Sequence, residues 1–173
     1  MLTFGLAATW AVGSLVSGRL HLGHIMFRGT LRRPIVTPIL VGLILSAIFI
    51  AGALVTRLYP PLADYTENVL GYARLGYLPL VFLITLVNGI AEEVFFRGAL
   101  FAAIGVRRPV LISTVVYTLA TVAGGNPMLV LAAAILGTVV GLQRRAGGGI
   151  LAPVLTHITW STTILFVLPP LFS

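Results

Sequence analysis

Five stretches of the chain carry no charged side chain, at 1–18, 34–56, 75–91, 109–143 and 146–173, and each is rich in Leu, Val, Ile and Ala. A helix that crosses a bilayer needs about 20 mostly apolar residues, roughly 17–25. The stretch that starts at Pro109 is too long for one crossing. Gly124-Gly125-Asn126-Pro127 divides it, because these residue types favour turns over helix. The pattern predicts six helices, at about 2–18, 34–56, 77–104, 108–123, 127–143 and 149–169, the fourth of them short for a full span. Between Arg57 and Tyr77, Pro60-Pro61 and mixed charge predict an external loop. A short interfacial segment in it would be anchored by Tyr59, Tyr65, Tyr72 and Tyr77. The first apolar stretch has no basic start and no small-residue cleavage site, so it reads as a retained helix. No internal repeat or low-complexity segment is visible.

Composition points the same way. The chain is 58% hydrophobic and 9% charged, with a mean hydropathy of +1.08, against about 45–50% and about 25% for ordinary soluble domains. Such a chain would expose large apolar patches in water, which excludes a water-soluble globular enzyme as well as disordered and collagen-like classes. The expected architecture is all-α, a polytopic membrane helix bundle forming a single domain over residues 1–173. Cysteine is absent, so disulfides, thiolate metal sites and a cysteine nucleophile are excluded.

The net charge of +7 comes from 11 basic residues, all arginine, against 4 acidic ones. In a soluble protein this would suggest nucleic acid. Here eight arginines fall in alternate loops: Arg19, Arg28, Arg32 and Arg33, then Arg107 and Arg108, then Arg144 and Arg145. The positive-inside rule puts those loops in the cytoplasm and both termini outside. The expected setting is the plasma membrane with its lipids, and no nucleic-acid partner is needed to explain the charge. Arg28, Arg32 and Arg33 are suited to anionic lipid, and His21 and His24 beside them read as interfacial residues rather than metal ligands. Trp10 and Trp160 read as packing residues.

Three ionisable groups lie inside the third predicted helix. Glu92, Glu93 and Arg97 would each cost about 2.5–3.5 kcal/mol at membrane depth and should face the bundle interior. Glu93 and Arg97 are i,i+4, on one face, which suits an ion pair. Glu92 points about 100° away, with Asn88 one turn before it as a hydrogen-bond partner. One glutamate is then structural and the other available for proton chemistry, although spacing alone equally suits one buried structural network. His157 is the only histidine in a predicted span. It lies about 12 Å in from the cytoplasmic side, near the depth of Glu92 at about 18 Å, and Ser161 shares its face.

The run Ala91-Glu92-Glu93-Val94-Phe95-Phe96-Arg97-Gly98 resembles the E-E-x-x-x-R motif of the type II CAAX prenyl endopeptidase, or Abi (CPBP), family of intramembrane proteases. Leu151-Ala152-Pro153-Val154-Leu155-Thr156-His157, after the glycines 147–149, resembles the family's histidine-bearing third motif. The Gly137 and Gly141 spacing is similar to the helix before it. The resemblance covers about 77–165. It implies a glutamic or metallo-type endopeptidase that hydrolyses a membrane-embedded or membrane-proximal peptide. Glu92 would be the general base and His157 the oxyanion donor, with Glu93 and Arg97 a supporting pair. Two positions depart from the family. The second motif, F-x-x-x-H, corresponds to Tyr117–Thr121, with Thr121 in place of histidine. In the third motif, H-x-x-x-N, Ser161 stands in place of asparagine. Losing a positioned acid–base group typically forfeits about 10²–10⁴-fold in rate, and losing an oxyanion donor about 10²–10³-fold. No tightly bound metal is expected; zinc is the alternative, since Glu92, Glu93 and His157 are ligand types, but a catalytic zinc site wants three well-placed ligands and water. Two readings follow, an active protease and a catalytically degenerate relative acting as a membrane binding or scaffold subunit of a larger complex. A small transporter or channel component is a third, and it lacks a supporting inverted repeat.

Overall fold

A computed structural model describes residues 2–17, 20–27 and 29–172. Arg19 and Arg28, assigned by charge to the first inner loop, lie outside the described residues, as does the Tyr72 side chain. The order of elements is α1 (Leu2–Val16), the hairpin β1 (Ile25–Phe27) and β2 (Thr30–Arg32), α2 (Val36–Thr56), α3 (Pro60–Leu75), α4 (Leu78–Ile104), α5 (Pro109–Val122), α6 (Pro127–Gly147) and α7 (Leu151–Leu171). The chain is an all-α helical bundle with one small antiparallel hairpin.

Among the described residues four helices, α2, α4, α6 and α7, are long and apolar enough to cross a membrane. With its exposed apolar faces this marks a membrane protein: Ile44, Ile48, Leu111 and Leu119 are among many large apolar side chains turned outward. α1 has 15 residues and α5 has 14, about 21–22 Å at the helical rise and short of the roughly 30 Å hydrocarbon core.

Local sequence explains the boundaries. At the Gly-Gly-Asn-Pro break, the Asn126 side chain accepts hydrogen bonds from the backbone N–H groups of Met128 and Leu129 at 2.9 and 3.4 Å. It caps α6, with Pro127 at its first position. The far end of α6 runs on to Gly147, so Arg144 and Arg145 occupy its last turn rather than a loop. There they complement the helix dipole. Gly148, at φ +66°, ends the helix in the left-handed conformation that glycine adopts without a Cβ penalty.

One expectation is corrected. The segment after Arg57 is a 16-residue helix, α3, not a loop. Pro60 opens it, where the missing N–H costs nothing, and Thr66 and Leu70, one turn apart, are buried on one face. Its mixed charge lies on the remaining surface. Arg57 and Arg74 donate to the carbonyls of Leu171 and Pro169, at 2.6 and 3.0 Å, at the end of α7.

Small residues let the central helices approach closely, as membrane helices without a hydrophobic driving force require. On α2, Ser46 Oγ donates to the Gly42 carbonyl; a Cβ at Gly42 would sit 2.8 Å from Thr159 Cβ of α7. Thr156 of α7 donates to the Pro38 carbonyl at 2.9 Å. α7 is therefore clamped to α2 along the face beside His157. The loop before the hairpin docks on the α6–α7 turn through backbone bonds from His24 to Gly147 and from Ile150 to His21.

Candidate active site

Three helices supply the site. α4 carries Glu92, Glu93 and Arg97; α7 carries His157 and Ser161; α5 carries Tyr117 and Thr121. α4 is not uniformly α-helical: Val94–Leu100 forms a π-helical turn, a feature often found at functional sites. It begins immediately after the glutamates and contains the arginine.

Glu93 and Arg97 are fully buried and form an ion pair, Nη1 to Oε1, at 3.0 Å. The same Oε1 is 2.8 Å from His157 Nδ1. Glu93 thus holds two cationic or donor groups at once. Among the described residues its Oε2, and Nε and Nη2 of Arg97, have no hydrogen-bond partner; the guanidinium lies instead 4.6 Å from the centre of the Tyr117 ring, a cation–π contact. Room for the guanidinium comes from Gly137 of α6, where a Cβ would lie 3.1 Å from Arg97 Nη2 and 3.2 Å from the Tyr117 ring. Of the two glycines spaced along α6, Gly137 thus makes room for the arginine, while a Cβ at Gly141 would meet Val110 and Thr114 of α5.

Glu92 has a different environment. It is partly exposed, and its Oε2 accepts a hydrogen bond from the Tyr117 hydroxyl at 2.7 Å. Among the described residues nothing bonds to its Oε1. Two expectations are corrected here. Glu92 is held by Tyr117 rather than by Asn88, which lies on its own helix. His157 meets Glu93 rather than Glu92, because the two neighbouring side chains diverge and only Glu93 faces α7. The imidazole lies along α4 between Glu93 and Gly89: a Cβ at Gly89 would be 3.6 Å from Nε2. With Nδ1 facing a carboxylate, the hydrogen-bond network assigns a proton there, and among the described residues nothing bonds to Nε2.

Thr121 and Ser161 are spent locally. Thr121 donates to the Tyr117 carbonyl at 3.0 Å and Ser161 to the His157 carbonyl at 2.9 Å, each one turn back on its own helix. Such back-bonding satisfies the hydroxyl without reaching across the site. The packing reading of the tryptophans fits their contacts. Trp10 packs at a tilt against Phe95 and Phe96, and Trp160 lies edge-on to Phe49 and 6.1 Å from His157.

Tyr117 is the residue that sequence reasoning left out of the site. Its signal in the sequence is the match of Tyr117–Thr121 to F-x-x-x-H, where a tyrosine hydroxyl appears one turn before the position of the lost histidine. A zinc site does not fit this donor set. Glu93 Oε1 is engaged by Arg97 and His157 Nδ1, and among the described residues no three His, Asp or Glu side chains gather as ligands. Residues 74–163, just over half of the chain, match the family model described as Rce1-like, type II CAAX prenyl endopeptidase. No curated protein and no solved structure matches the chain.

Proposed function

The chain belongs to the Rce1-like, type II CAAX prenyl endopeptidase family, and from that premise we propose that it is an intramembrane endopeptidase of the plasma membrane that cleaves a membrane-embedded or membrane-proximal peptide. One observation carries the reading: the adjacent glutamates are divided in labour. Glu93 is buried and engaged by Arg97 and His157, while Glu92 is partly accessible with Oε1 unengaged. Glu92 takes a proton from water as the water attacks the scissile carbonyl. Glu93 fixes the ring of His157 through Nδ1, much as a carboxylate orients the histidine of a triad. With a proton on Nε2, His157 donates to the oxyanion and passes that proton to the leaving amine, then regains one as Glu92 gives up the proton it took from water. Tyr117 positions Glu92. No step runs through a metal.

A second reading, a family member that binds a membrane partner without cleaving it, is favoured by the hydroxyls of Thr121 and Ser161, which turn back on their own helices. The test separates the two. Protein purified in mild detergent is reconstituted with a library of membrane peptides. Cleavage by wild type that Glu92→Gln abolishes supports the protease; a co-purifying partner without any Glu92-dependent cleavage supports the binding subunit.

A further inference from the structure

Where the α4–α5 and α6–α7 loops meet at one end of the bundle, a cavity of about 730 Å³ is bordered by Arg108, Arg144 and Arg145. It is remote in chemistry from the glutamates. All four carboxylates of the chain lie elsewhere, and among the described residues the ion pairs are those of Glu93, so these three arginines have no acidic partner. Arg144 is held in place: its Nε donates to the Arg97 carbonyl at 2.6 Å and its guanidinium lies over the Phe101 ring. Its two terminal nitrogens remain for a ligand. The first turn of α5, also on the cavity wall, has no side-chain cap, so its leading N–H groups are donors awaiting acceptors. Deeper in, Thr114 lines the cavity with a buried hydroxyl that has no hydrogen-bond partner among the described residues. Arginines, a free helix start and an unsatisfied hydroxyl converge on one kind of group, a phosphate anion.

The rim indicates its source. Val106 and Leu111 line the same cavity and are turned outward, and Val115 and Leu119 continue that apolar face along α5. A phospholipid has this polarity, with a charged head against the arginines and acyl chains along the exposed face. We propose that this cavity is a binding site for the headgroup of an anionic phospholipid, seated between Arg108, Arg144 and Arg145.

The test uses the full chain, delipidated in an uncharged detergent, with binding read by native mass spectrometry and thermal shift. The probes are dioctanoyl phosphatidylglycerol, dioctanoyl phosphatidylcholine and inorganic phosphate. Phosphatidylglycerol should bind at least 10-fold more tightly than either of the others. Arg108→Gln with Arg145→Gln, both at exposed positions without structural bonds, should weaken it about 30-fold. Thr114→Val should weaken it several-fold, and Glu67→Gln, exposed on α3 and not part of the cavity wall, should leave it unchanged. Equal binding of phosphatidylcholine would overturn the proposal, as would full binding by the double variant. Inorganic phosphate matching the lipid would assign the cavity to a free anion instead and overturn the lipid assignment.

Discussion

His157 Nδ1 lies 2.8 Å from Glu93 Oε1, across 64 residues of sequence, and not against the neighbouring Glu92. That one contact links α7 to α4 and divides the two glutamates. Because the same oxygen also binds Arg97, the triad is a buried charge cluster whose members depend on each other. Removing one member of such a cluster leaves the others uncompensated, which costs about 3–5 kcal/mol. Arg97→Ala should therefore lower the melting temperature in detergent well below that of Glu92→Gln, whose carboxylate is partly accessible. Greater damage to folding from Glu92→Gln would reverse the assignment of the two glutamates.

Gly137 gives a second test of the cluster. A Cβ there would stand 3.1–3.2 Å from Arg97, Thr114 and Tyr117, so all three would have to shift. Gly137→Ala should destabilise by about 1–3 kcal/mol, the usual cost of overpacking. Gly71→Ala, in α3 with nothing within 4 Å of its Cβ, should be neutral or stabilising, since alanine is the better helix former. Thermal unfolding of the pair in one detergent decides; equal behaviour would show that Gly137 does not hold the arginine's space.

Tyr117→Phe removes the hydroxyl from Glu92 and keeps the ring over Arg97. Hydrogen bonds to charged groups are worth about 1.5–3 kcal/mol, so kcat should fall about 10–100-fold while KM changes little. An unchanged kcat would remove Tyr117 from its positioning role.

Topology is tested on the cysteine-free chain by introducing Thr30→Cys, Arg107→Cys or Arg145→Cys. If the arginine-rich loops are cytoplasmic, an impermeant thiol reagent added outside intact cells should label none of them. Efficient labelling at any one would place that loop outside.

Much of the bundle is legible in the sequence because it depends on local signals. Gly-Gly-Asn-Pro contains its own turn, cap and helix start, and the i,i+4 spacing of Glu93 and Arg97 is enough to place their ion pair. α3 was missed because Pro60-Pro61 reads equally as a loop and as a helix opening. Its burial comes from packing on neighbours that sequence periodicity does not specify. The β1–β2 hairpin was missed for a related reason, since each strand has only three residues. Within the site, the helical offset between Glu92 and Glu93 says that they diverge but not which of them faces His157. That depends on the rotation of α4 against α7, set by Gly89 and by the clamp of α7 on α2. The Tyr117 contact likewise depends on the approach of α5 to α4.

The most direct test of the proposed function is Glu92-dependent hydrolysis of a membrane peptide, measured side by side for four proteins: wild type, Glu92→Gln, Thr121→His with Ser161→Asn, and that double variant carrying Glu92→Gln. Restoring the family's histidine and asparagine should raise the rate, by about 10⁴-fold if the gains from a positioned acid–base group and an oxyanion donor multiply, though residues acting as a unit rarely do so fully. Wild type should cleave measurably, the double variant should cleave faster, and Glu92→Gln should abolish both. Absence of Glu92-dependent cleavage from wild type and double variant alike would contradict the proposed function and leave the glutamates as a buried polar network in a membrane scaffold.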